Sequence, residues 1–182
     1  MVLHINEHLA LQEVEMRDAP ALYALIDRNR RHLRRFMGWI DANRTVGDVE
    51  LFISASIQRR MVQNGTDYTI RYNGAILGVI ALHYIDWVNH RTSIGYWMSE
   101  DAQGRGIMTA AVHRLIAHAF DELGLNRIEI HCAVQNEKSR AIPERLGFTR
   151  EGRIRQGEWL YDHYVDHIVY GLLKSEWLMR RS

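Results

Sequence analysis

The amino-acid sequence predicts an α/β (α+β) fold, a mixed sheet of about seven strands with elements in the order βααβββαβαββ. Three observations carry that expectation. Between Tyr68 and Ser99, three strand-like runs are separated by the short turn signals Asn73-Gly74 and Asn89-His90, the pattern of an antiparallel meander. From Arg105 to Leu123 the period changes: apolar residues at 107, 108, 111, 112, 115, 116, 119, 120 and 123 follow a helix, which Gly124 closes. Arg127 to Val134 then alternates, with Ile128, Ile130 and Cys132 on one side. Strand, crossover helix and strand together imply a parallel pairing of 92–99 with 127–134.

The remaining elements follow by the same reasoning. His8 to Glu15 alternates as a first strand. Asp18 stands as an N-cap before Ala19-Pro20, and a helix runs from Pro20 towards Arg31 with Leu22, Leu25 and Ile26 on one face. Phe36 to Ala42 is irregular. Val46 to Val62 is a second helix, stopped by Asn64-Gly65. Tyr68–Tyr72, Ala75–Ile85 and Thr92–Ser99 are the meander strands. Ser139 to Leu146 is a short helix ended by Gly147, and Phe148 to Leu173 makes two strands joined around Gln156 to Asp162. No linker, repeat or low-complexity tract interrupts the chain, so 1–182 is expected to be a single domain.

Composition excludes several classes. Hydrophobic residues make up 47% and charged residues 25%, which excludes a disordered chain. Lys+Arg total 23 and Asp+Glu 22, so net charge gives no reason to expect a nucleic-acid partner. One cysteine, Cys132, cannot form an intramolecular disulfide and points to a reducing compartment. No apolar run is long enough to span a bilayer, and the N-terminus lacks a signal-peptide pattern, so a cytoplasmic protein with no membrane partner is expected. His163 and His167 lie four residues apart on a strand, about 13 Å, too far for one metal, so no metal site is expected.

The chemistry-bearing segment is Gln103-Gly104-Arg105-Gly106-Ile107-Met108-Thr109, between a strand and a long helix. Its glycines allow close backbone approach and positive φ, and the unpaired N–H groups of a first helical turn favour an anion. It matches neither the dinucleotide fingerprint nor the Walker A loop. It resembles the Gln/Arg-x-x-Gly-x-Gly/Ala motif of GNAT N-acetyltransferases, with Met108 where Gly or Ala is usual. Asn136-Glu137-Lys138-Ser139 followed by Leu146-Gly147-Phe148 is similar to a second signature of that superfamily. Glu151-Gly152, Glu158-Trp159-Leu160 and Tyr164-Val165-Asp166 resemble the Rim-type branch, which acetylates ribosomal-protein N-termini.

The resemblance implies an acetyl-CoA-dependent N-acetyltransferase that transfers acetyl directly to an amine. The strands 92–99 and 127–134 would splay to admit pantetheine. Trp97, Met98 and Ser99 would pair with it, the Met98 N–H facing the thioester carbonyl. Gly104, Arg105, Gly106, Ile107, Met108 and Thr109 would hold the pyrophosphate, and Asn136 would bond the pantetheine amides. Ser139 would be the general acid and Glu158 the general base, with Glu100 and Asp101 as rivals for the second role. Ser139 is equally suited to cap a helix, and Cys132 to be a small core residue. The family also implies a homodimer. The acceptor is a ribosomal-protein α-amine, or a small amine such as a polyamine, amino acid or antibiotic. A non-catalytic acyl-CoA- or ribosome-binding module is the remaining alternative. Five arginines, Arg28, Arg30, Arg31, Arg34 and Arg35, form a cluster suited either to an acidic partner or to a solvated face.

Overall fold

The computed structural model describes residues 1–180. Its sheet has eight strands: β1 (Val2–His4), β2 (Leu9–Glu13), β3 (Thr66–Tyr72), β4 (Ala75–Leu82), β5 (Arg91–Met98), β6 (Arg127–Ala133), β7 (Thr149–Leu160) and β8 (His163–Leu173). Their spatial order is β1-β2-β3-β4-β5-β6-β8-β7. The strand beyond the seven expected is β1, a three-residue edge paired with β2 that is too short to show a period. Among the described residues the strands pair antiparallel except β5 and β6, the parallel pair the sequence implies.

Helices cover both faces. On one, α4 (Ile107–Ala117) packs Val112, Leu115 and Ile116 against Ile80, Leu82, Ile94, Ile128 and Ile130 of the sheet. On the other, α1 (Ala19–Arg28) and α3 (Val46–Met61) pack Leu22, Ile26, Val49 and Ile53 against Val79 and Trp97. Ile80 and Trp97 follow from period-2 alternation, because neighbours along a strand face opposite layers.

Local corrections have physical causes. The first helix breaks at Asn29, whose side chain donates to Leu25 O and accepts from the Glu100 N–H, and resumes as α2 (Arg30–Leu33). Asp18 does not cap with its side chain. Its carboxylate instead accepts from the Glu15 N–H and from Arg71, at 2.6 Å. Thr45 supplies a capping box with Asp48 at the start of α3. Ser139 is not the cap of α5 (Glu137–Arg145). Asn136 is, accepting from the Ser139 N–H at 3.2 Å. The last hairpin turns only at Tyr161-Asp162, so Glu158 lies within a strand rather than in a broad loop. A final helix, α6 (Lys174–Met179), buries Trp177.

Candidate active site

The glycine loop follows β5 through a turn at Glu100–Ala102. Gly104 and Gly106 both have φ +75°, and a β-carbon on either would meet nothing within 4 Å. Positive φ requires glycine there, and the space above the loop is open. Gly106 is the N-cap of α4 and no side chain caps the helix, so its first-turn N–H groups are available to an anion. Ile107 and Met108 point into the core, so the Met108 side chain does not occupy this space. The Thr109 hydroxyl accepts from Arg145 at 2.9 Å, which brings a cation to the helix start. The Arg105 guanidinium lies over the Tyr72 ring.

Next to the loop the sheet opens. β5 and β6 pair only over Arg91–Ser93 and Arg127–Glu129, then diverge. The Ser99 N–H donates to Leu77 O and the His83 N–H to Ser93 O, so 93, 95, 97 and 99 bond towards β4. By alternation the Met98 N–H points the other way, into the gap. A cavity of about 550 Å³ occupies this gap and continues under α1 and α3.

The α5 side of the gap is built around a proline. Pro143, inside α5, has no N–H for the Ser139 carbonyl four residues back. The Tyr96 hydroxyl takes that role, donating to Ser139 O at 3.0 Å. In turn it accepts from Ser139 Oγ at 3.3 Å, and Cys132 Sγ is 3.3 Å from the same Oγ. Burial above all holds the Tyr96 phenol well above its usual range, and burial also raises the Cys132 thiol. Both stay protonated at neutral pH, so Ser139 sits among neutral groups.

The opposite side is Glu158. β7 and β8 lose register between Ile154 and Glu158, where Gln156 adopts φ +51° and its N–H donates to Asp166. Beyond the irregularity Glu158 pairs with Val165, so His167 is its diagonal neighbour on the same face. Glu158 Oε2 and His167 Nε2 are 3.0 Å apart. The other carboxylate oxygen lies 3.8 Å from where a β-carbon on Gly38 would be. The loop carrying Gly38 is fixed by arginine: Arg30 donates to Ile40 O and Asn43 O, and Arg34 binds Asp41 and stacks on Tyr161. Tyr161 donates to Met37 O at 2.6 Å.

Sequence comparison places this geometry in a family. The acetyltransferase (GNAT) domain model matches residues 8–149. The chain belongs to the GNAT acetyltransferase family. It is 39% identical over 174 residues to YdaF of Bacillus subtilis (strain 168), covering 95% of each chain. It is 30% identical over 168 residues to the ribosomal-protein-serine acetyltransferase of Escherichia coli (strain K12), covering 92% of this chain and 94% of that one. Among solved structures, RimL, a ribosomal L7/L12 α-N-protein acetyltransferase in complex with coenzyme A, aligns with a TM-score of 0.93 at 26% identity. That alignment covers 97% of this chain and 99% of the other.

This GNAT chain gathers Trp97, Asn136, Ser139 and Glu158 around one cavity. Gly104, Gly106 and Thr109 lie together at the start of α4, with Met98 and Ser99 at the strand end leading to it. Glu100 and Asp101 are exposed on the turn before the loop and do not line the cavity. The arginine cluster divides. Arg30 and Arg34 are staples of the 34–44 loop, while Arg31 and Arg35 stay on the surface. Sequence reasoning missed Tyr96, His167 and His83. The signals for two of them were Pro143, which orphans a carbonyl, and Gly95 inside a strand, where the His83 ring fills the place of a β-carbon.

Proposed function

We propose that the chain transfers acetyl from acetyl-CoA directly to the N-terminal α-amine of a ribosomal protein. The observation that carries this is the convergence of Asn136, Ser139 and Glu158 on one cavity where the β5–β6 gap meets the glycine loop. The loop fits the cosubstrate's pyrophosphate: backbone N–H groups, an open space and two glycines at positive φ. Pantetheine runs along the free edge at Trp97, Met98 and Ser99. The Met98 N–H receives the thioester oxygen as it becomes an oxyanion. Asn136 uses its oxygen to cap α5, leaving its amide NH2 for a pantetheine carbonyl.

Glu158, in part solvent-exposed and held by His167, takes a proton from the incoming ammonium through water. The amine nitrogen then bonds to the acetyl carbon and the carbon–sulfur bond breaks. Ser139 gives a proton to the departing thiolate and regains, through water, the second proton that the acetylated nitrogen sheds. Tyr96 keeps the serine oriented. The ribosomal acceptor is supported by the E. coli relative and by RimL, whose names state that class of substrate.

The test is release of CoA, with mass spectrometry of the products, for purified ribosomal proteins and for a panel of small amines. One ribosomal protein acetylated at its N-terminus is the expected result. Turnover confined to small amines would overturn the acceptor, and absence of acetyl-CoA binding at millimolar ligand would overturn the whole reading.

A further inference from the structure

The cavity does not stop where an amine would meet Glu158. It continues under α1 and α3, on the face of the sheet opposite α4, past Met37, Trp39, Phe52, Val79 and Trp97. The Trp39 and Trp97 rings pack at 5.8 Å between centroids, so an aromatic wall begins beside the backbone of Met98. A β-carbon added to Gly38, next to Trp39, would lie 3.8 Å from a Glu158 carboxylate oxygen, which places that wall close to the proposed base. A group attached to an amine at Glu158 therefore has this apolar space within reach.

The charged groups around the cavity narrow the occupant further. Asp67, at the deep end, accepts from Ser56 Oγ at 2.6 Å and is paired with Arg59. Glu158 is paired with His167. His83, another polar residue lining the cavity, lays its ring over Gly95 and is exposed at the surface. Among the described residues, then, no unpaired carboxylate lines the cavity to receive a second ammonium.

From the aromatic wall and the paired carboxylates we infer that the acceptor carries one amine and a bulky apolar group beside it, as in a peptide beginning with leucine, methionine or phenylalanine. A polyamine does not fit, because its second cation would be stripped of water with no free partner. A serine terminus leaves the apolar space unfilled and places its hydroxyl against aromatic carbon. The inference rests on the acetyltransferase reading above and adds the acceptor's side-chain class.

The test compares kcat/KM for acetyl transfer to tetrapeptides that differ only in their first residue, with spermidine in parallel. Leucine, methionine or phenylalanine should exceed serine and alanine by about tenfold or more, the scale of discrimination that a hydrophobic pocket supplies. Spermidine should fall below all of them. Phe52→Ala should lower the leucine-to-serine ratio about tenfold, with Met37→Ala as the second variant should the first fail to fold. Serine or alanine equal to leucine, spermidine as best acceptor, or an unchanged ratio in a folded variant would each overturn the inference. Titration with acetyl-CoA alone separates the two readings: absence of binding removes the acetyltransferase proposal, whereas binding with the wrong selectivity removes only this one.

Discussion

The two halves of the site are made of different material. The glycine loop at 103–109 is contiguous in sequence and works through backbone: two glycines at φ +75° and the uncapped start of α4. The acceptor half is assembled from Gly38, Trp39, Phe52, Glu158 and His167, more than a hundred residues apart at the extremes, and works through side chains. Backbone chemistry is indifferent to most substitutions but intolerant of a changed φ. Side-chain chemistry is the reverse. The backbone half can therefore tolerate many substitutions without losing its chemistry, while the side-chain half changes its chemistry with each one.

That contrast predicts a hierarchy of effects. The largest should come from Glu158→Gln. On the proposed mechanism this removes the general base, which is worth about 10² to 10⁴ in turnover. The acetyl-CoA dissociation constant, measured by calorimetry, should stay within about twofold, because Glu158 lies on the acceptor side. A matching loss of acetyl-CoA affinity would mean that the two halves are not separable. Gly106→Ala should behave oppositely. Its new β-carbon meets no protein atom, so the strain is only the positive φ, about 1–2 kcal/mol. The carbon enters the anion's space, so KM for acetyl-CoA should rise about tenfold, one such increment of binding energy, with kcat little changed.

The legibility of the two halves follows the same division. Gly104, Gly106, the N-terminus of α4 and the parallel β5–β6 pair could be read locally, because a turn, a period and a crossover each leave their mark within the one contiguous stretch 91–133. Asn136 and Ser139 were legible by resemblance, but their division of labour was not. Which of them caps α5 depends on one hydrogen bond, from the Ser139 N–H to Asn136. His167 was visible as a strand residue beside an aspartate, yet its partner proved to be Glu158 across the hairpin. The register slip between Ile154 and Glu158 sets that pairing, and no period-2 pattern encodes it. The arginines at 28–35 looked like one charged face. The turn at Asn29 lets Arg30 reach the carbonyls of Ile40 and Asn43, while Arg34 pairs with Asp41 at the surface and the others make no such staple among the described residues.

Tyr96 joins the halves and gives an intermediate effect. Tyr96→Phe strips the Ser139 carbonyl of the donor that replaces the missing Pro143 N–H. An unsatisfied buried acceptor costs about 1–3 kcal/mol, which lowers Tm by roughly 2–4 °C per kcal/mol for a chain of this size. Thermal unfolding reads that loss directly. The serine hydroxyl also loses its anchor, so kcat should fall while KM for acetyl-CoA holds. An unchanged Tm would mean that water or another donor already serves that carbonyl.

The smallest effect concerns pH and His83, an exposed residue that lines the same cavity. Desolvation of its ring is the main cause that pushes His83 below the ordinary histidine value of 6.5. Asp67 opposes the shift, while Arg59 and His131 add to it. The folded state thus binds that proton less readily than the unfolded chain. Stability from this group is present above pH 6.5 and declines as pH falls below it. His83→Gln removes the titration but keeps a polar side chain near Gly95. Urea unfolding at pH 7.5 and pH 5.5 should show wild type losing more stability than the variant between the two. Equal losses would assign the acid sensitivity to other groups, such as His32, whose value burial also lowers on the cosubstrate side of the site.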